Sequence, residues 1–392
     1  MFNFIFLLLF ATTSLISQPL ENQDGWRPAW GLDRIDQREA MLNDRYNYSL
    51  TGAGVTVYVF DSGIYSGHED FGGRVEAGFG VITDGLGAED CAGHGTHSAS
   101  LIGGTKYGVA KQVKLVSVRV LNCNNSNSSM ASLYPAFDWI IEHHKEGVPA
   151  IVNMSVGTSK SIAFNEATQR LIDDGLIVVA ASGNQNRDAC LYSPASQTPV
   201  IAVGAIDMSE SRAHYSNYGP CVDILAPGSD IVGAWAGTSN TYRSSSGTSN
   251  AAPIVSGIVA LMLEQSPQMT QVQVEEKLKN IATVDAIKNL GVGSSNLLAY
   301  SLFDVAQNPT PTTTTTVPVT TPTVPVTTTT IPYVSPTTTT VQPVQTTVPD
   351  TVNGSVCSTP ATRTVFYGVP YVCVNTGNQL MWISKRYSPG RP

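Results

Sequence analysis

Three residues, far apart in the chain, are of the types that acyl transfer requires, and each stands where a regular element starts or stops. Ser249 lies in Ser245-Ser246-Gly247-Thr248-Ser249-Asn250-Ala251-Ala252-Pro253, ahead of an apolar helix that runs through Leu263. Gly247 and Thr248 supply a turn and a capping hydroxyl, and Pro253 is tolerated in a first helical turn. Ser249 is thereby placed among backbone N–H groups without intrahelical partners, where a developing oxyanion finds donors and a favourable dipole. A serine nucleophile needs a base, and the base needs an orienting group. His94, in Gly93-His94-Gly95-Thr96-His97-Ser98, opens a second helix ahead of the apolar residues 99–102. Asp61 closes the apolar run 55–60 and precedes Ser62-Gly63. A carboxylate at the carboxyl end of a buried parallel strand lies where open α/β sheets place their sites. Taken singly, Ser249 reads equally as an N-cap, His94 as a capping or core histidine, and Asp61 as a strand-end turn residue.

The elements that must position these residues are visible in the pattern. Val/Ile-rich runs at 55–60, 113–121, 151–154 and 177–181 are separated by helix-length segments such as 130–146 and 162–174. That alternation predicts an α/β fold with a mainly parallel central sheet and helices on both faces. The domain spans residues 19–305, roughly 280 positions, enough to bury one large core. Residues 1–18 carry an apolar run followed by small and polar residues and resemble a secretory signal peptide without the usual basic start, too short to span a bilayer.

Residues 306–349 are Thr, Pro and Val without a charged residue, a low-complexity linker in extended geometry, either plain or O-glycosylated. The tail, 350–392, is too short to be stable on burial alone, so a Cys357–Cys373 bridge is its natural staple. It reads as a cell-surface contact or as an inert disulfide-closed tail. Asn47-Tyr48-Ser49 and Asn353-Gly354-Ser355 are sequons.

Composition narrows the function classes. A net charge of −8 with 13% charged residues excludes a phosphate-neutralising nucleic-acid binder and suits cation binding. Six cysteines, scattered singly rather than in metal-type pairs, fit an oxidising compartment. No stretch after the leader is long and apolar enough for a membrane helix.

Together, Val57-Tyr58-Val59-Phe60-Asp61-Ser62-Gly63, Gly93-His94-Gly95-Thr96-His97 and Ser246-Gly247-Thr248-Ser249 resemble the three signatures of the subtilisin family, in its chain order Asp, His, Ser. Trp30-Gly31-Leu32-Asp33-Arg34-Ile35-Asp36-Gln37, Ser216-Asn217-Tyr218-Gly219 and Asn296-Leu297-Leu298 are similar to the proteinase K and aqualysin branch. The resemblance runs from about Pro28 to Phe303 and implies a subtilisin-like three-layer sandwich. It assigns Ser249 as nucleophile, His94 as general base and acid, Asp61 as the residue holding the imidazole tautomer, and Asn184 as side-chain oxyanion donor beside the Ser249 N–H. Ser155, Val156 and Gly157 would offer backbone to the residues before the scissile bond, Ser126 with its neighbours Asn125 and Asn127 the opposing edge, and Ala181, Ser182 and Gly183 an uncharged S1 floor that favours apolar or aromatic P1 side chains.

The same resemblance pairs Cys91 with Cys123 and Cys190 with Cys221. It places structural calcium at Asp33, Asp36 and Gln37, with Arg45 near where a further oxygen ligand is expected, and at Asp223 with the carbonyls of Thr198 and Val200. No catalytic cofactor is implied. Two departures stand out. Asn250 occupies the usual place of Met, and almost nothing separates the leader from the domain where relatives typically carry a pro-segment, so either the enzyme folds without one or the given start is not the natural one. The reading is a secreted, monomeric serine endopeptidase acting on proteins and peptides. Its rival is a non-catalytic binding protein that keeps the fold.

Overall fold

The computed structural model describes residues 15–20, 29–127 and 129–303, and the backbone alone of three strands towards the end of the chain. Among the described residues a nine-stranded sheet runs in the order Thr283–Val284, Leu297–Leu298, Ile224–Pro227, Ile201–Ile206, Ile177–Ala181, Ala150–Met154, Thr56–Asp61, Lys114–Arg119, Val75–Gly80. Every neighbouring pair is parallel except the first, Thr283–Val284 with Leu297–Leu298. The helices are α1 (Trp30–Ile35), α2 (His94–Gly103), α3 (Tyr134–His143), α4 (Ile162–Asp173), α5 (Thr248–Gln265) and α6 (Gln271–Ile281).

The pleat explains the layers. In Thr56–Asp61, Val57 and Val59 join a core with Ile151, Val179, Val203 and the apolar residues of α2 and α5, whereas Tyr58 and Phe60 join Val116, Val152, Phe137 and Phe164 on the side of α3 and α4. Strands covered on both faces must be apolar at successive positions, which is why they read as runs rather than alternations. Helix α4 buries Phe164, Ala167, Thr168 and Leu171 at spacings of three and four, and Ser161 Oγ accepts from Phe164 N at 3.3 Å to cap its start. Gly175, at φ 92°, ends it in the left-handed conformation. Helix α5 is different in kind, because every residue from Thr248 to Leu263 is buried. Each of its fully buried Ile, Val or Leu side chains contributes roughly 1.5–3 kcal/mol.

Several boundaries differ from expectation. The helix expected at 130–146 is a 3₁₀ turn, Met130–Leu133, followed by α3, which stops at His143. The strand Ile16–Pro19 pairs antiparallel with Arg45–Tyr48, so the leader boundary expected after Gln18 cuts through a strand of the packed unit. Residues 1–14 and the 306–349 linker lie outside the described residues. A second unit contains Arg363–Phe366, Val369–Asn375 and Leu380–Ser384 as an antiparallel meander with Cys373 opposite Trp382. Cys357, the expected partner of Cys373, lies outside the described residues, as does the Asn353 sequon.

Candidate active site

Parallel strands share one carboxyl edge, and the candidate residues collect along it. Asp61 is the last residue of its strand and fully buried, and His94 is the first of α2. His94 Nδ1 lies 2.7 Å from Asp61 Oδ1, and the same carboxylate accepts from Ser62 N at 2.7 Å and Ser98 Oγ at 3.0 Å. A carboxylate can only accept, so the proton sits on Nδ1 and Nε2 is left as the basic nitrogen. Asp90 ties α2 to the turn after Asp61: its carboxylate accepts from Ala92 N, Gly93 N, Thr96 N, Thr96 Oγ1 and Ser62 Oγ at 2.6–3.0 Å. Glycine makes the approach possible. A Cβ on Gly95 would lie 2.1 Å from Gly63 O, and one on Gly93, at φ +97°, 2.1 Å from the Trp235 indole.

The two histidines of this motif part company. Burial pulls the His94 pKa down, but the charge and hydrogen bond of Asp61, with Asp90 behind, outweigh it and hold the imidazole above its usual value. His97 Nε2 lies 3.0 Å from Ile231 O, and burial pushes its pKa down to about 4. His94 therefore keeps a basic nitrogen at the surface of the cleft, and His97 is a neutral packing residue behind it.

Ser249 is the second residue of α5. Thr248 N and Thr248 Oγ1 each donate to Asn184 Oδ1 at 2.9 Å, which fixes the amide and leaves Nδ2 for the cleft. A Cβ built on Gly247 would lie 2.8 Å from Ser249 Oγ, 3.3 Å from Asn184 Nδ2 and 3.6 Å from Ser249 N. Ser249 Oγ, Ser249 N and Asn184 Nδ2 thus converge on one point, and glycine at 247 keeps it open. Pro253 is the sixth residue of α5, not in its first turn as its tolerance there suggested. Lacking an N–H, it leaves the Ser249 carbonyl four residues back without its helical donor, and Ser155 Oγ donates to that oxygen at 3.0 Å. Ser155 Oγ also receives Asn153 Nδ2 at 3.0 Å and lies 3.2 Å from Ser98 Oγ, so a buried polar chain links Asp61 to Ser249. Asn250 is buried and donates to Gly228 O at 3.3 Å, which satisfies its amide in the place of a Met.

A cleft of about 470 Å³ is lined by His94, Ser249, Asn184, residues 155–157 and residues 181–183. A second, of about 380 Å³, continues past His94 between residues 155–157 and 125–127. Asn125 adopts φ 55°, a left-handed conformation that Asn tolerates. Ser126, expected to pair with substrate, already bonds within its own loop: its carbonyl accepts from Asn122 N at 2.8 Å, and its N and Oγ reach Asn122 Oδ1 at 3.3 and 3.1 Å. Ser182 Oγ is buried with no hydrogen-bond partner among the described residues, so the floor is uncharged but not wholly apolar. Asn217 holds this loop, accepting from Gln185 N and Arg187 N at 3.0 Å and donating to Ser182 O at 2.8 Å. Ser98, Asp90 and Asn153 escaped assignment from the sequence, and Thr248, expected as a capping hydroxyl, instead turns its hydroxyl to Asn184 while Gly247 stands at the cap, because Ser, Asp, Asn and Thr look alike whether they cap, turn or position.

The two expected cation sites differ. Asp33 accepts from Asn43 N at 3.0 Å and Asp44 N at 2.7 Å, and Asp36 Oδ2 from Asn47 N at 2.5 Å and Asn47 Nδ2 at 2.7 Å. Asp36 Oδ1 is buried without a partner, and burial, opposed by the Asn47 bonds and helped by Asp33, pushes this carboxyl up to about 7. Gln37 Oε1 lies against Asn43 Nδ2 at 2.6 Å, and Arg45 directs its guanidinium at Ser17. Oxygen ligands with one oxygen unanswered fit a hard divalent cation. Asp223 does not fit: Lys279 Nζ lies 2.9 Å from its Oδ1, and Thr198 O accepts from Gln197 Nε2 at 2.9 Å. In this structure Lys279, rather than a cation held by Asp223, Thr198 and Val200, supplies the positive charge beside Asp223. Cys91–Cys123 and Cys190–Cys221 are bonded as the resemblance implied. Asp84 sits close to the first of these bridges, but disulfide sulfurs are not thiolate ligands and that group holds no metal site.

The fold and the site define a class: a parallel α/β sandwich with Asp, His and Ser on the carboxyl edge of its sheet. The chain belongs to the Peptidase S8 subtilase family, whose pattern it matches over residues 52–304. It is 49% identical over 274 residues to an extracellular serine proteinase of Thermus sp. (strain Rt41A), covering 70% of this chain and 66% of that protein. It is 42% identical over 275 residues to alkaline serine exoprotease A of Vibrio alginolyticus, covering 70% and 50%. Among solved structures it resembles a cold adapted subtilisin-like serine proteinase with TM-score 0.67 and 42% identity, over 70% of this chain and 98% of that one. The chain thus spans between half and two thirds of the length of these two curated relatives.

Proposed function

We propose that this protein is a secreted serine endopeptidase that cleaves proteins and peptides through Asp61, His94 and Ser249. The observation that carries the reading is the convergence of Ser249 Oγ, Asn184 Nδ2 and Ser249 N on one point, in a cleft that also exposes His94. Ser249 Oγ attacks the scissile carbonyl while His94 Nε2 removes its proton, and the imidazolium is balanced by Asp61. The oxyanion takes hydrogen bonds from Asn184 Nδ2 and Ser249 N. His94 then protonates the leaving amine, and water repeats the sequence on the acyl-enzyme. Residues 155–157 hold the acyl side of the substrate in extended form, and the uncharged floor at 181–183 suits apolar or aromatic P1 side chains. Asp33, Asp36 and Gln37 would hold a structural calcium, which would supply positive charge to a buried acidic loop and take no part in the chemistry. The extracellular relative supports secretion.

Hydrolysis of succinyl-Ala-Ala-Pro-Phe-nitroanilide, measured beside the Ser249→Ala variant, tests the reading. Turnover that the variant lacks supports it. A folded wild type that neither hydrolyses this substrate or casein nor takes a fluorophosphonate on Ser249 would overturn it in favour of a binding protein.

A further inference from the structure

The acyl side of the cleft is accounted for by residues 125–127 and 155–157, but neither cleft includes what flanks His94 on the side of Gly93. That flank is the hairpin Ile231–Ala234 with Tyr242–Ser245, in which Gly233 pairs with Arg243. Trp235, just after its first strand, lies so close to Gly93 that any Cβ there would meet the indole, and its ring is 5.9 Å from that of His97. The Arg243 guanidinium is stacked over the same indole, with Cζ 5.2 Å from the ring centroid. Arg243 is exposed, and among the described residues no carboxylate pairs with it. A guanidinium resting on an aromatic face is held in place while its charge still faces outward.

Accepting the endopeptidase reading, we propose that Arg243, positioned by Trp235, is a specificity residue for the leaving-group side and selects substrates with an acidic residue shortly after the scissile bond. With residues 125–127 and 155–157 occupied by the acyl side, the departing half of an extended substrate leaves across the opposite flank of His94. Gly93, next to His94, is in contact with the Trp235 indole that carries Arg243 on its face, and an extended chain advances about 3.3 Å per residue, so the first three positions beyond the cleaved bond are those on which the guanidinium is to be tested. Its net charge of −8 gives the rest of the protein no general preference for acidic peptides, so an acidic preference would be local to this cation.

The test uses internally quenched peptides built on Ala-Ala-Pro-Phe, with Asp, Asn or Lys placed in turn at the first, second and third positions after the cleaved bond. An exposed charge pair is worth about 0.2–1 kcal/mol, so at one position the kcat/KM ratio of Asp to Asn should be about 1.5- to 5-fold and that of Lys to Asn below one. Arg243→Gln should bring both ratios to about one, Arg243→Lys should retain part of them, and 0.5 M salt should shrink them by screening. Ratios near one at all three positions in the wild type, or ratios that survive Arg243→Gln, overturn the proposal while leaving the endopeptidase standing. Absence of cleavage of every peptide overturns both.

Discussion

The two ends of the central sheet each carry a histidine beside a carboxylate, and they are built to opposite purposes. At the amino-terminal end, His143 Nδ1 lies 2.9 Å from Tyr58 OH, its Nε2 lies 3.3 Å from Glu76 Oε1, and Glu76 also pairs with Lys114. The ring is stacked on Trp139 beside a cavity of about 350 Å³. At the carboxyl end, His94 is bonded through Nδ1 alone among the described residues. Asn184 is likewise held by its oxygen, with Nδ2 turned to the cleft. A constellation does chemistry only when its fixed groups keep one valence unanswered; His143 has none left, and His94 has its basic nitrogen.

The largest test of that contrast sets Ser249→Ala against His143→Phe. Ser249→Ala should lower turnover of a Phe peptide about a millionfold, a scale established on subtilisin, itself a member of this family. His143→Phe should change kcat/KM by less than about twofold and cost on the order of 1 kcal/mol in chemical denaturation. A comparable loss of turnover in both variants would break the comparison. Asn184→Ala should lower kcat about 10²- to 10³-fold with little change in KM, again on the subtilisin scale. A loss expressed mainly in KM would place Asn184 in substrate binding instead.

Protonation sharpens the contrast within one helix. His97 has a folded pKa of about 4 against an ordinary 6.5, so between those values the unfolded chain binds more protons. Its contribution, about 3 kcal/mol at most, is complete above pH 6.5 and is lost as the pH falls towards 4. Denaturation of Ser249→Ala from pH 7 to 4.5 should show a fall in stability that is smaller when His97 is also replaced by Asn. His94 has the opposite sign: with its folded pKa raised, it adds stability below pH 6.5 that disappears as the pH rises through the folded value. Activity, which needs neutral His94, should therefore have an acid limb above the usual histidine value, visible in kcat/KM. A further test concerns calcium. At a hundredfold excess over Kd, its removal should cost about 2.7 kcal/mol, and Asp36→Asn should abolish that difference in Tm between calcium and chelator. Asp223→Asn should leave it in place, because Lys279 already balances that carboxylate.

Much of this was legible in the chain. The apolar runs at 55–60, 151–154 and 177–181 show both faces of the sheet covered, and the strands observed there coincide with them within a residue or two. Asp61, His94 and Ser249, each ambiguous alone, could be found because the three motifs that hold them together resemble one family's signatures in its chain order. What could not be read depends on partners distant in sequence. Nothing near Asp223 announces Lys279, 56 positions away. The Ser98–Ser155–Asn153 chain is invisible because a serine's partner is set by packing, not by its neighbours in the sequence. Pro253 looked like a first-turn residue, and its actual position gains meaning only from Ser155 across the helix. The strand at Ile16–Pro19 could not be read because four residues are too few to show a period.

Helix α5 has a consequence for how the molecule fails when heated. Beyond its first turn, which opens on the cleft, it is buried on every side as far as Leu263, and its amide hydrogens there should exchange only when the whole domain opens. The loop around Asn125 and the edge strand Ile16–Pro19 can loosen long before that. A warmed sample should therefore hold molecules nicked at their periphery by neighbours whose nucleophile is still in place, so that loss of full-length chain runs ahead of loss of titratable active sites.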